Sequence, residues 1–101
     1  MPNWTKVARV DELLTEGLGM TVKAAGLQVA LFRWEDGLYA LEDLCPHLGF
    51  PLSEGVIQDG EIICGWHGWR INVANGTCRF QRIGARTYPV EIRGDEVWVE
   101  I

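Results

Sequence analysis

Four residues that could bind a metal occur as two Cys/His pairs, Cys45 with His47 and Cys64 with His67. The 101-residue chain has two histidines, and both belong to these pairs. Thiolate sulfur and imidazole nitrogen are ligands of zinc sites and of iron–sulfur clusters. We therefore expect the four residues to form one metal centre, with residues 48–63 lying between its two halves.

The mixed pairing favours an iron–sulfur cluster over zinc. Two cysteines and two histidines also make a tetrahedral zinc site, but zinc fingers usually place both cysteines in one segment and both histidines in the other. In a [2Fe-2S] cluster with two thiolates on one iron and two imidazoles on the other, each segment reaches both irons. A third alternative is four unliganded residues in Pro/Gly-rich loops, which requires their convergence by chance. Zinc remains the competing metal.

The sequence resembles the Rieske family of [2Fe-2S] proteins. Its Cys-x-His and Cys-x-x-His-Gly segments have the Rieske spacing, and a Pro-Leu-Ser-Glu-Gly run follows the first at 51–55. The resemblance extends to Tyr-Pro-Val at 88–90 and Val-Trp-Val at 97–99. Gly65 departs from the family, which usually has proline there, but this change removes no ligand. The resemblance implies one Rieske cluster per chain, held by the two Cys/His pairs.

Composition indicates one globular domain over residues 1–101. The chain is 48% hydrophobic and 23% charged, and it has no apolar run long enough for a membrane helix. Its first residues lack the pattern of a secretion signal, so we expect a soluble, cytoplasmic protein. The formal net charge of −5 argues against a nucleic-acid partner. The third cysteine, Cys78, is expected to be a reduced packing residue.

Alternating apolar residues and short turn signals predict an all-β fold. We expect a small antiparallel β sandwich, formed by residues 1–42 and about 84–101, with an inserted cluster-binding lobe at about 43–83. One helical turn is expected at Asp11–Leu14. The predicted strands are Trp4–Arg9, Met20–Ala24, Leu27–Trp34, Leu38–Glu42, Val56–Ile57, Glu61–Ile63, Trp69–Val73, Thr77–Phe80, Tyr88–Arg93 and Val97–Ile101.

The resemblance implies an electron carrier and not a stand-alone enzyme. Both histidines are committed to the cluster, so none remains for the two-His, one-carboxylate iron site of an oxygenase subunit. A G-x-G-x-x-G motif is absent; Gly17 and Gly19 come close, but Val22 breaks the pattern. We expect a flavin-dependent reductase as electron donor and an oxygenase, such as an aromatic-ring dioxygenase, as acceptor. The alternative is the small subunit of an NAD(P)H-dependent nitrite reductase.

Residues that differ from the high-potential Rieske proteins imply a low reduction potential. The positions of the disulfide that joins the cluster loops in those proteins align with Phe50 and Trp66. The positions of their Ser and Tyr, whose hydroxyls donate hydrogen bonds to sulfur, align with Trp69 and Ile71. Fewer donors to sulfur stabilise the reduced cluster less. The potential is therefore expected near the low end of the range of about −150 to +300 mV.

The family also implies that the histidines lie at an exposed tip through which electrons leave. Apolar residues surround the histidines in sequence, and they are expected to exclude water and to contact the partner. The expected docking residues are Leu48, Phe50, Pro51 and Trp66. Shielding of the cluster by Trp66 and Trp69 is compatible with this role.

Overall fold

The computed structural model describes residues 3–12, 19–35, 37–44, 51–64, 69–78 and 84–101. Regular structure in these residues consists of β-strands and two single-turn 3-10 helices, Val10–Glu12 and Leu52–Glu54. The strands are β1 (Trp4–Arg9), β2 (Gly19–Ala24), β3 (Leu27–Trp34), β4 (Gly37–Glu42), β5 (Val56–Gln58), β6 (Glu61–Cys64), β7 (Trp69–Asn72), β8 (Thr87–Tyr88), β9 (Val90–Arg93) and β10 (Glu96–Glu100). The all-β prediction is confirmed.

The strands form three antiparallel sheets. A terminal sheet has the order β1-β10-β9, a middle sheet the order β2-β3-β4-β8, and a lobe sheet the order β5-β6-β7. The terminal sheet joins the two ends of the chain, since Trp4 pairs with Glu100. Among the described residues, no helix is long and apolar enough to cross a membrane.

The middle sheet is covered on both faces. Residues 29–32 of β3 are all fully buried, although successive side chains of a strand point to opposite faces. Val29 and Leu31 pack with Val97 and Val99 of the terminal sheet. Ala30 and Phe32 pack instead with a core that includes residues of the lobe sheet. The lobe therefore rests on the middle sheet and shares a hydrophobic core with it.

Two predicted strands differ from those observed. Tyr88–Arg93 is divided at Pro89: β8 pairs with β4 of the middle sheet, and β9 pairs with β10 of the terminal sheet. Proline has no amide hydrogen to donate to a sheet, so it fits the point where the chain changes sheets. In place of Thr77–Phe80, only an isolated bridge between Ile71 and Cys78 is described. The predicted turn at 11–14 is described as far as Glu12, in the 3-10 helix.

Gly76 of the lobe packs against the segment that enters β8. It has a φ of +75°, and a Cβ atom there would overlap the carbonyl oxygen of Ala85. The amide of Ala85 in turn donates a hydrogen bond to the Gly76 carbonyl at 2.8 Å. The backbones are therefore too close for any side chain at position 76.

Gly76→Ala is expected to lower the thermal unfolding midpoint of the protein by about 10 °C or more. Both the positive φ and the overlap with Ala85 contribute to this loss. Gly26→Ala is the matched control, because Gly26 has a φ of +81° but open space around it. It carries the backbone strain alone, about 1 kcal/mol. Equal losses in the two variants, measured by circular dichroism, would contradict the role given to the close approach.

Candidate metal centre

The second Cys/His pair belongs to the connection between β6 and β7. Cys64 is the last residue of β6, and its side chain is 4% exposed. It pairs with Trp69, the first residue of β7, so the antiparallel ladder closes the connection at its base. Residues 65–68, which include His67, lie outside the described residues.

The first pair belongs to the segment between β4 and the 3-10 helix Leu52–Glu54. Residues 45–50 lie outside the described residues, but both flanks of this segment are described. Asp43, before it, accepts hydrogen bonds from the Ser53 amide at 2.8 Å and from the Ser53 hydroxyl at 2.9 Å. A side chain therefore closes the base of the first loop, as strand pairing closes the base of the second.

The two loop bases adjoin each other. Val56 pairs with Ile63, the residue before Cys64. A Cβ atom on Gly55 would lie 2.6 Å from the carbonyl oxygen of Ile63, so the backbone that leaves the first loop passes directly against β6. Leu52, between the first loop and Gly55, is fully buried in the same core as Cys64. The fold thus brings together the described flanks of the two segments that contain the predicted ligands.

Of the predicted site residues, Cys64 and Pro51 are described. Pro51 is exposed, which is compatible with a docking role. The other predicted ligands and docking residues lie outside the described residues, namely Cys45, His47, His67, Leu48, Phe50 and Trp66.

The surroundings of Cys64 suit a sulfur ligand. The residue lies in an apolar core with Ile62, Ile71 and Phe32, which excludes water from one side of the site. As an iron ligand, the sulfur of Cys64 would be a thiolate. The donor set of two thiolates and two imidazoles fits a Rieske cluster.

Cys78 differs from Cys64. It is a buried cysteine thiol in the same core. Burial, with a smaller contribution from the negative charge of Glu61, raises the pKa of the Cys78 thiol above its ordinary value. A protonated thiol is a poor metal ligand, so the expectation that Cys78 is a reduced packing residue agrees with its position.

Trp69 and Ile71, the residues expected at the positions of the hydroxyls that donate to sulfur in high-potential Rieske proteins, lie in or against this core. Ile71 is fully buried, and Trp69 packs against the core while half-buried. Next to them, Arg70 donates to Glu61 at 2.9 Å in a partly buried ion pair. The positive charge of Arg70 is therefore balanced within the lobe.

Three residues at the base of the first loop were not among the predicted site residues: Asp43, Thr21 and Ser53. Thr21 donates to Asp43 Oδ2 at 2.7 Å, and its hydroxyl oxygen lies 2.6 Å from that of Ser53. The closeness of Asp43 and Ser53 to the first Cys/His pair was a signal in the sequence. Thr21 lies on β2 and is separated from that pair by β3 and β4, so its position in the sequence gave no such signal.

Known proteins share this arrangement of residues. The sequence model of the Rieske [2Fe-2S] domain matches residues 3–89. The ferredoxin component of the naphthalene 1,2-dioxygenase/salicylate 5-hydroxylase systems of Ralstonia sp. is 33% identical, over 98% of this chain and 96% of its own.

Solved structures also match this chain over nearly its whole length. The ferredoxin in a complex of reduced oxygenase and oxidized ferredoxin of carbazole 1,9a-dioxygenase matches with a TM-score of 0.84 and 31% identity, over 96% of this chain and 92% of that one. A protein described as an NADH-dependent nitrite reductase small subunit, from Mycobacterium tuberculosis, matches with a TM-score of 0.91 and 25% identity, over 100% and 96%.

Other relatives are much longer than this chain. They include a 4beta-methylsterol monooxygenase from Methylococcus capsulatus, which is 34% identical over 96% of this chain. The chain spans 30% of that protein, and 28% of a vanillate O-demethylase oxygenase subunit from a Pseudomonas species. The same domain thus occurs both in short ferredoxins and within larger oxygenase proteins.

Proposed function

Because this chain belongs to the Rieske [2Fe-2S] domain family, we propose that it is a one-electron carrier between a flavin-dependent reductase and an oxygenase, such as an aromatic-ring dioxygenase. The observation that carries this proposal is the match to a dioxygenase ferredoxin component over nearly the whole of both chains. The carbazole dioxygenase ferredoxin, which is in complex with its oxygenase, supports the oxygenase as acceptor. The carrier itself is not a stand-alone enzyme in this proposal.

The four ligands of the proposed cluster are Cys45, His47, Cys64 and His67. When bound, a Rieske cluster accepts and releases a single electron at a moderate potential. The chain supplies an apolar core behind Cys64 and two loops with closed bases. In this proposal these features orient the ligands, since a protein's part in cofactor chemistry is to bind and orient the cofactor.

We also propose residues 1–101 as a single domain, with the cluster-binding lobe at about 43–83. The shared core of the middle and lobe sheets supports a single domain, since the lobe contributes Ile62 and Ile71 to the same hydrophobic core as Phe32. The buried thiol of Cys78 is compatible with the reducing conditions of the cytoplasm.

The experiment that tests the carrier function follows electrons through the purified holoprotein. Iron and acid-labile sulfide analysis, with electron paramagnetic resonance (EPR) of the reduced form, first distinguishes a Rieske cluster from zinc. The reduced protein is then mixed in a stopped-flow instrument with a Rieske oxygenase from the same organism. Reoxidation at a rate that rises with oxygenase concentration supports the proposal. A zinc-loaded protein, or one that no oxygenase reoxidises, would refute it.

The nitrite reductase small subunit remains the second candidate, because that structural match has the higher TM-score. A subunit of an assembled enzyme is expected to co-purify in fixed ratio with a large flavin-containing partner. A shuttle is expected to separate from its oxygenase on gel filtration. Purification from the native host, with mass spectrometry of the partner, distinguishes the two.

The docking surface is proposed to include Leu48, Phe50, Pro51 and Trp66. Trp66→Ala is expected to slow reoxidation by the oxygenase about tenfold, because an aromatic residue at the centre of an interface often contributes more than 1 kcal/mol. The reduction potential should change little in comparison. Val56→Ala is a matched control, since Val56 is an exposed apolar residue of the lobe outside this surface. An unchanged rate in Trp66→Ala would exclude Trp66 from docking.

A further inference from the structure

Asp43 is a buried charged residue that accepts three hydrogen bonds. Its side chain is 6% exposed, and no other charged residue in the described part of the chain is buried. Oδ1 accepts from the Ser53 amide at 2.8 Å. Oδ2 accepts from the Thr21 hydroxyl at 2.7 Å and from the Ser53 hydroxyl at 2.9 Å. Burial of a carboxylate is costly without such donors, so this network is a specific feature of the fold.

The network joins three elements that are distant in the sequence. Thr21 belongs to β2, Asp43 directly follows β4, and Ser53 belongs to the 3-10 helix Leu52–Glu54. The backbone of Asp43 is itself fixed, because its amide donates to the Gln28 carbonyl at 3.2 Å. Asp43 therefore holds Ser53 against the middle sheet.

A second contact from β2 reaches the same point. A Cβ atom on Gly19 would lie 2.8 Å from the carbonyl oxygen of Ser53. The backbone of β2 thus passes directly beside Ser53 at Gly19. Two residues further along β2, the Thr21 hydroxyl contacts the Ser53 hydroxyl. The base of the first loop is in this way fixed from the middle sheet by both a hydrogen-bond network and close backbone packing.

We propose that Asp43, Thr21 and Ser53 form a clamp that positions the first Cys/His pair. Asp43 and Ser53 flank the segment that contains Cys45 and His47, and the clamp joins both flanks to β2. The three residues are positioning residues, because they act on the ligands through the backbone. The inference rests on the proposed function, since it concerns the ligands of the proposed cluster.

Thr21→Val is the most direct test. It replaces one hydroxyl by a methyl group of similar size, changes no charge, and lies on a strand outside the cluster lobe. Ser53→Ala removes the second hydroxyl, again without a change of charge. Thr87→Val is the matched control, since Thr87 is an exposed residue of the same middle sheet and not part of the clamp.

Thr21→Val and Ser53→Ala are expected to release iron about tenfold faster than the wild type, since loss of groups that support metal ligands typically costs 10- to 100-fold in affinity. The EPR line positions of the reduced protein should also shift, because the first Cys/His pair changes its orientation. A loss of overall stability alone would not shift those lines. Thr87→Val should behave as the wild type in both measurements.

Asp43→Asn separates position from charge. It keeps an acceptor for the Ser53 amide but disturbs the two hydroxyl contacts, and it removes one negative charge. Glu54→Gln is its control, since Glu54 is exposed in the same 3-10 helix and its replacement removes the same charge. The proposal expects faster iron release in Asp43→Asn than in Glu54→Gln. If Asp43→Asn fails to fold, the two hydroxyl variants still decide.

Wild-type release rates and EPR lines in Thr21→Val, Ser53→Ala and Asp43→Asn would overturn the clamp while leaving the carrier function intact. A wild-type protein without a Rieske EPR signal would overturn the carrier function, and the clamp with it. The two failures are therefore distinguished by the wild-type spectrum.

Discussion

Cys64→Ala is expected to abolish the [2Fe-2S] cluster. Alanine offers no thiolate, and the neighbouring core residues Phe32, Ile62 and Ile71 carry no metal-binding atom. Iron and acid-labile sulfide should fall from about two of each per chain to near zero, with loss of the visible absorption and of the EPR signal. Because ligand binding stabilises the folded state, the thermal midpoint should fall below that of the wild-type holoprotein.

Cys78→Ala is the matched control for this prediction. It removes the same kind of side chain from the same core, at a packing cost of about 1 kcal/mol. The cluster should remain, because the Cys78 thiol has a raised pKa and is not among the proposed ligands. Full iron and sulfide in Cys64→Ala, or their loss in Cys78→Ala, would reverse the assignment of the two cysteines. Cys45→Ala should behave as Cys64→Ala does.

His47→Cys is expected to lower the reduction potential of a retained cluster on the order of 100 mV, judged from the separation between Rieske and all-cysteine ferredoxins. A thiolate in place of a neutral imidazole adds one negative charge beside the iron. That charge disfavours the further negative charge of the reduced state.

The wild-type potential, measured in the same titration, is expected below about 0 mV. Ile71 supports this value, because a fully buried aliphatic side chain at that position cannot donate to sulfur. A His47→Cys cluster with the wild-type potential would argue that His47 is not an iron ligand. Glu54→Gln serves as the control for a single charge change at the loop.

Part of the fold could be predicted from local sequence. Strands β1, β2, β3 and β4 agree with the predicted strands to within one residue at each end, because alternation and Gly-containing turns act over neighbouring residues. The division of Tyr88–Arg93 into β8 and β9 could not be predicted in this way. The alternation continues through Pro89, but β8 pairs with Ala40 and Leu41, which are distant in the chain. Strand β9 instead pairs in a hairpin with Glu96–Val99, which directly follow it.

The role of β3 was decided by tertiary structure as well. Its run of four apolar residues is compatible with burial on both faces, but only the stacking of the lobe on the middle sheet provides the second cover. The same holds for Asp43. Its acidic side chain reads as a surface residue in the sequence, and only the approach of Thr21 and Ser53 makes a buried carboxylate stable there.

The sequence by itself determined the proposed ligand set of this protein, because metal binding by thiolate and imidazole is a property of the side chains themselves. Cys45, His47, Cys64 and His67 indicate the cluster without any coordinates. Tertiary structure decided how the bases of the two loops meet, through the pairing of β5 with β6 and the contacts of Asp43. Those contacts form between residues that are far apart in the chain. They depend on how the sheets pack, and the local pattern of residues does not encode that packing.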